Sequence, residues 1–192
     1  MENTLIMFDC FGVILTETAE KFFKKRFSLE EALMIKNKYF VNADEGKVSL
    51  EKIASEIEKE YGYKKEDVIS EFQENAKPIL GTIELIKRLK KNYHIILVSN
   101  VTLGFLEPLF AKYDLDCLFE HEVKSCYLGI AKPDIGIYKH ALSLYDNKFD
   151  KMYMIDDNQK NLDCLPELGV KGILFKDPDS LENTLKEEGL IF

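Results

Sequence analysis

Leu5-Ile6-Met7-Phe8-Asp9-Cys10-Phe11-Gly12-Val13-Ile14 is an apolar run that ends abruptly in a carboxylate and turns at a glycine. Its first four residues are apolar without alternation, the pattern of a short buried strand. Ligands of parallel α/β sheets bind beyond the C-terminal ends of the strands, so a carboxylate there is well placed for chemistry. Taken alone, an aspartate after a buried strand more often only caps the following turn. The rest of the chain decides between the two.

Three further apolar runs, at 94–98, 152–155 and 172–175, also read as short buried strands. Helical patterns lie between them, and that alternation is the signature of βαβ units. Residues 82–91 put Ile83, Leu85, Ile86 and Leu89 on one side and Glu84, Lys87, Arg88 and Lys90 on the other, an amphipathic helix feeding the second strand. Pro133-Asp134 opens a helix through position 144, with Asp134 as N-cap. A helix is expected over 158–168, stopped by Gly169, and a last one over 180–188, stopped by Gly189.

Residues 16–78 differ, because they contain no strand-like run and keep helical periodicity almost throughout. Ser28-Leu29-Glu30-Glu31 is a capping-box pattern opening a helix through position 39. A polar turn with Gly46 is expected over 42–47, then Ser49 caps a helix through position 61, and a shorter helix over 65–75 ends before Pro78. Four successive helices exceed what a crossover between parallel strands needs. The segment is therefore expected as a small bundle over the ligand edge of the sheet, with Phe22, Phe23, Tyr39 and Phe40 more often bundle core than pocket wall.

Composition narrows the partners. The formal net charge is -8 and no basic run exceeds Lys24-Lys25-Arg26, which argues against nucleic acid or an anionic membrane surface. No apolar stretch is long enough to span a bilayer, and no secretory leader is expected ahead of the first strand. Cys10, Cys117, Cys126 and Cys164 show no zinc spacing or CxxC pair and read as reduced thiols, so a cytoplasmic protein is expected. The oligomeric state is not legible in the sequence.

Three other strand ends and helix starts carry polar groups. The second strand ends in Ser99-Asn100, Lys132 precedes the Pro133 helix start, and the third strand ends in Asp156-Asp157 with Asn161 one turn later. Each is common as a turn or cap; their order and shared edge make the set significant. Phosphoryl transfer needs this chemistry. A carboxylate can attack phosphorus, hard oxygen ligands such as Asp9 and Asp157 suit Mg²⁺, and a lysine with a hydroxyl can hold the remaining phosphate oxygens.

On these four motifs, read as Phe8-Asp9-Cys10-Phe11-Gly12-Val13-Ile14, Leu97-Val98-Ser99-Asn100, Gly129-Ile130-Ala131-Lys132-Pro133-Asp134 with Tyr138, and Met154-Ile155-Asp156-Asp157 with Asn161, the chain resembles the haloacid dehalogenase (HAD) superfamily of hydrolases over nearly its full length. The resemblance implies an α/β fold: a Rossmann-like core of residues 1–15 and 79–192, with a central parallel sheet and the first strand in its middle. It also implies an inserted all-α cap of residues 16–78. By the same resemblance the activity is that of a Mg²⁺-dependent phosphatase of a small phosphorylated metabolite, a sugar phosphate among the candidates. Asp9 is then the nucleophile, while Ser99, Asn100 and Lys132 bind substrate. Mg²⁺ sits on Asp9, the carbonyl of Phe11 and Asp157, and Asp156 acts through a metal-bound water or a hydrogen bond.

One departure stands out. Phosphatases of this superfamily usually carry a second aspartate two residues after the nucleophile, as acid for the leaving group and base for water; here that residue is Phe11. General acid–base catalysis is typically worth about 10²–10⁴-fold, so that much rate is at stake. Three readings are open. The enzyme uses good leaving groups or a proton from substrate, water or cap. Or it is a weakly active or non-catalytic relative that binds a phosphorylated ligand. Or it is a 2-haloacid dehalogenase, against which the Asp156-Asp157 pair and the scarcity of arginine (Arg26 and Arg88) count.

Overall fold

The computed structural model describes residues 3–146 and 148–191, so Met1, Glu2, Asn147 and Phe192 of the expected core lie outside the described residues. Five strands, β1 (Thr4–Phe8), β2 (His94–Ser99), β3 (His121–Lys124), β4 (Lys151–Asp156) and β5 (Lys171–Leu174), form one sheet in the order β3-β2-β1-β4-β5. Every pairing is parallel, with Phe8 opposite Leu97 on one side and Ile155 on the other. Along β1, Ile6 and Phe8 enter the core on one face while Leu5 and Met7 enter that on the other. Burial on both faces is why the strand reads as continuously apolar.

The strand β3 has no counterpart among the apolar runs of the sequence. Its residues His121-Glu122-Val123-Lys124 bury only Val123, because an edge strand needs little more than its backbone ladder to β2. The helix expected over 158–168 is also interrupted. A short helix covers Gln159–Leu162, and a separate 3₁₀ turn covers Leu165–Leu168, with Pro166 at its start. Proline has no N–H to donate, so the second turn cannot continue the first. The last helix starts earlier than expected, at Pro178, because Asp177 accepts a hydrogen bond from the Ser180 N–H at 2.8 Å and so caps it.

Between β1 and the helix Leu80–Leu89 lie four helices: α1 (Ala19–Lys24), α2 (Leu29–Asp44), α3 (Leu50–Tyr61) and α4 (Lys65–Asn75). Ser28 and Glu31 form the expected reciprocal capping box at the start of α2. That helix continues to Asp44, through half of the expected polar turn. Its buried stripe Ala32, Ile35, Tyr39 and Ala43 keeps helical spacing past position 39, so packing carries the helix on. Helices α1 and α4 and the connection before α4 share an aromatic centre at Phe22, whose ring meets Phe72 at 4.9 Å, Phe23 at 5.2 Å and Tyr63 at 6.0 Å between centroids. The two connections to the sheet run side by side: Leu15 pairs with Pro78, and the Thr16 N–H donates to the Lys77 carbonyl at 2.8 Å.

Among the described residues the core carries six further helices. The first three are α5 (Leu80–Leu89), α6 (Leu106–Tyr113) and the short α7 (Ser125–Leu128). After them come α8 (Ile135–Ser143), α9 (Gln159–Leu162) and α10 (Pro178–Glu187). The C-terminal end of α2 packs on α7. Gly46, with φ of 73°, lies so near the Cys126 carbonyl that a Cβ would stand 2.1 Å from the oxygen. Only glycine permits that approach.

Candidate active site

Parallel register brings three strand ends to one edge. Asp9 follows β1, Ser99 closes β2 and Asp156 closes β4, while Lys132 arrives from the loop before α8. Asp134 caps that helix by accepting from the Gly136 N–H at 2.7 Å. Lys132 Nζ stands 2.7 Å from Asp9 Oδ1 and 2.7 Å from Asp156 Oδ2, with its side chain 1% exposed. Asp156 is fully buried and accepts from the Asn161 side-chain amide at 3.0 Å and from the Asn158 N–H at 2.8 Å. Tyr138 fixes that helix turn in place by donating its hydroxyl to the Asn161 carbonyl at 2.6 Å. Asp9 Oδ1 also accepts from the Cys10 N–H at 2.6 Å.

The other expected residues divide. Asn100 exchanges two hydrogen bonds with the backbone of Lys132, at 2.8 and 2.9 Å, so its amide braces the loop that carries the lysine. Ser99 is fully buried and donates to the Asn100 carbonyl at 3.3 Å. Phe11 forms part of the cavity wall and stacks on Phe105, with centroids 5.8 Å apart. Asp157 faces the cavity beside Gly12, whose φ of 84° leaves no room for a side chain: a Cβ there would lie 2.0 Å from Asp157 Oδ2.

Asp9, Asp156 and Asp157 each present a carboxylate oxygen, all within 4.8 Å of one another. Ionised, they outweigh the one ammonium of Lys132 by two charges, a deficit that a single divalent cation cancels. The donor set is all hard oxygen, which suits Mg²⁺ or a similar ion. Electrostatics agree with that need. Burial pushes the Asp9 carboxyl up to about 8, with Lys132 opposing and Asp156 reinforcing the shift. Burial would lower the pKa of Lys132, yet Asp9 and Asp156 hold it above the usual value. Partial loss of hydration, then Glu17 and Asp156, lift Asp157 to about 6. The Cys10 thiol is pushed up by burial and by Asp9, so it offers no competing thiolate.

The edge opens into a cavity of about 590 Å³ whose far wall belongs to the helical insert. Glu17, Glu20, Lys36, Phe40 and Asp44 line it there, with Thr102 on the core side. Of the four insert aromatics expected in the bundle core, Phe22, Phe23 and Tyr39 are buried there, and Phe40 both packs on Phe72 at 5.8 Å between centroids and lines the cavity. Lys36, Phe40 and Asp44 recur every fourth position along α2, a stripe visible in the sequence only if the helix is carried past position 39. Lys36 stands 3.4 Å from Glu17 and 3.6 Å from Glu20.

A parallel α/β sheet with a lysine-bridged acidic cluster at its C-terminal edge defines the class: an enzyme that handles a strongly charged centre. The sequence matches the haloacid dehalogenase-like hydrolase family over residues 4–169, and the chain belongs to that family. A HAD family enzyme from Bacteroides thetaiotaomicron shares the fold with a TM-score of 0.78 at 15% identity, over 96% of this chain and 99% of that one. The same enzyme in complex with magnesium and inorganic phosphate gives 0.72 at 19% identity, over 91% and 95%. A HAD-like hydrolase from Porphyromonas gingivalis gives 0.76 at 17% identity over the full length of both chains. Among curated proteins, drimenol cyclase drtB of Aspergillus calidoustus is 27% identical over 88 residues, which span 46% of this chain and 17% of that protein. Among the described residues no helix is long and apolar enough to cross a membrane.

Proposed function

We propose that this hydrolase is a Mg²⁺-dependent phosphatase of a small phosphorylated metabolite, working through an aspartyl phosphate on Asp9. The observation that carries the reading is the buried pair Asp9 and Asp156 sharing one buried ammonium beside Asp157. Asp9, the Phe11 carbonyl and Asp157 would hold the ion, and Asp156 would orient Lys132. When bound, the ion neutralises phosphate charge as a Lewis acid. Asp9 Oδ attacks phosphorus as the ester P–O bond breaks, which divides one hard hydrolysis into two easier steps. Lys132, itself buried, keeps a positive charge against the transferring group. Residues 16–78 act as a cap over the core formed by 1–15 and 79–192 and select the substrate through the wall of α1 and α2. All four cysteines are free thiols, in keeping with a reducing, cytoplasmic setting.

A halide-receiving arginine is missing from the cavity among the described residues. Arg26 pairs with Glu71 at 2.5 Å and lies 3.8 Å over the Phe22 ring, while Arg88 pairs with Glu182. This weighs against the dehalogenase alternative. The test is phosphate release from a panel of sugar phosphates, nucleotides and acyl phosphates, with Mg²⁺ and with a chelator. Metal-dependent release supports the proposal; ligand binding with Mg²⁺ but no release would favour a non-catalytic relative, and halide release from a 2-haloacid would revive the dehalogenase.

A further inference from the structure

Two-step hydrolysis, the proposed function on which this inference rests, needs a group that gives a proton to the departing oxygen and takes one from water. Phe11 cannot do either: it lines the cavity with an apolar ring stacked on Phe105. The other cavity groups are largely committed. Glu17 and Glu20 flank Lys36, Glu20 also pairs with Lys24, and Asp157 belongs to the metal cluster. Burial works against the Lys36 ammonium, but Glu17 and Glu20 hold its pKa above the usual value, which makes it a poor donor.

Asp44 differs from all of these. It lines the same cavity as Asp9 and Lys132, and among the described residues no hydrogen bond or ion pair holds its carboxylate. Its backbone is nonetheless fixed. Ala43 beside it is fully buried, and Gly46 two residues on is pressed against the Cys126 carbonyl of the core. A rigid backbone thus carries an uncommitted carboxylate into the reaction space. We propose that Asp44 is the general acid and base of this enzyme, delivered by the helical insert in place of the residue that Phe11 replaces.

Burial, then the charge of Glu17, lifts its carboxyl to about 7 against the pull of Lys36. Both protonation states are therefore populated near neutrality, as a residue working first as acid and then as base requires. The charged groups that face it are Lys36 and Glu45 from its own segment, Glu17 from ahead of α1, and Lys132 from the core. In the first step the Asp44 carboxylic acid protonates the leaving oxygen as the Asp9–phosphorus bond forms and the ester bond breaks, releasing the alcohol. In the second, the Asp44 carboxylate takes a proton from water as the water oxygen bonds to phosphorus and the Asp9–phosphorus bond breaks. Inorganic phosphate departs with Asp44 again protonated.

Stopped-flow and steady-state kinetics on the full chain with Mg²⁺, using p-nitrophenyl phosphate and glycerol phosphate, test this. Asp44→Asn should lower glycerol phosphate turnover by about 100-fold or more. With p-nitrophenyl phosphate it should give one rapid equivalent of p-nitrophenol and then slow turnover, because only the second step still needs the base. The pH–rate limb near neutrality should vanish, and adding Phe11→Asp to Asp44→Asn should restore part of the rate. Unchanged turnover and pH profile in Asp44→Asn would overturn the assignment. So would an equal loss on both substrates, without a burst, in a protein that melts like wild type. If Asp44→Asn does not fold, Asp44→Glu should retain activity with a displaced limb, and an unmoved limb would overturn it. Turnover that survives Asp9→Asn would defeat the phosphatase reading itself, whereas Asp9-dependent turnover indifferent to Asp44 defeats only the proton assignment.

Discussion

At the C-terminal edge of the sheet the acidic pair is tightly held and buried, whereas on the facing wall of the helical insert Lys36 stands further from its glutamates and is partly exposed. Lys132 lies 2.7 Å from both Asp9 and Asp156, and Asn161 and the Asn158 N–H complete the shell of Asp156. Across the cavity, Lys36 is 3.4 and 3.6 Å from its two glutamates. The contrast arises from burial. A buried charge costs several kcal/mol unless another compensates it, so the edge has to be organised before substrate arrives. A partly exposed pair contributes about 0–1 kcal/mol and can rearrange around a ligand. On the proposed reading, bond-breaking chemistry belongs to the edge, and selection and proton delivery to the insert.

The strongest way to break this division is at the reacting atom. Asp9→Asn should lower phosphate release on the order of a million-fold, the scale of losing a nucleophile. Residual metal-dependent turnover near the wild-type rate would move the chemistry elsewhere. Next comes the pair Lys132→Ala and Lys36→Ala, compared by urea unfolding. The first leaves two buried carboxylates facing each other and should cost about 3–5 kcal/mol. The second should cost about 1 kcal/mol or less. Equal costs would erase the distinction between edge and wall. Asp157→Ala should weaken Mg²⁺ binding by at least about 10-fold in a calorimetric titration, with excess metal restoring part of the rate. Unchanged affinity would remove Asp157 from the ligand set.

The smallest effect is on stability against pH. Asp9, Asp44 and Asp157, lifted to about 8, 7 and 6, keep protons in the folded state that the unfolded chain has already lost. The native state then binds more protons over that range, so stability falls as pH rises toward 8. Melting of the metal-free protein should drop by a few degrees between about pH 5.5 and 8.5, and Mg²⁺ should narrow the difference. A melting temperature that rises with pH would mean these carboxylates are already fully compensated.

β1, β2 and β4 were legible with their polar ends because burial on both faces writes itself as an apolar run, and β5, an edge strand that buries only Ile173, was legible from its own apolar residues. β3 was not, since an edge strand such as His121–Lys124 is held by backbone pairing that leaves little trace in side chains. At the site, Asp9, Lys132, Asp156 and Asp157 could be read from strand ends and helix starts. Asn100 could be placed beside the site, but its hydrogen bonds to the Lys132 backbone depend on two loops meeting in space. Asp44 was hidden by a boundary. Ending α2 at position 39 cuts the Lys36, Phe40 and Asp44 stripe, and only the burial of Ala43 shows that the helix goes on.

Gly12 carries a consequence for how this hydrolase can vary. The volume that any side chain at position 12 would need already contains the Asp157 carboxylate, 2.0 Å from where a Cβ would stand. The first loop and the last acidic pair, distant in sequence, thus form a single steric unit: one residue's emptiness is the other's seat. A side chain at position 12 therefore requires the Asp157 carboxylate to move from where it stands. A change at position 12 is thus felt first at the carboxylate of the cluster rather than in the loop itself.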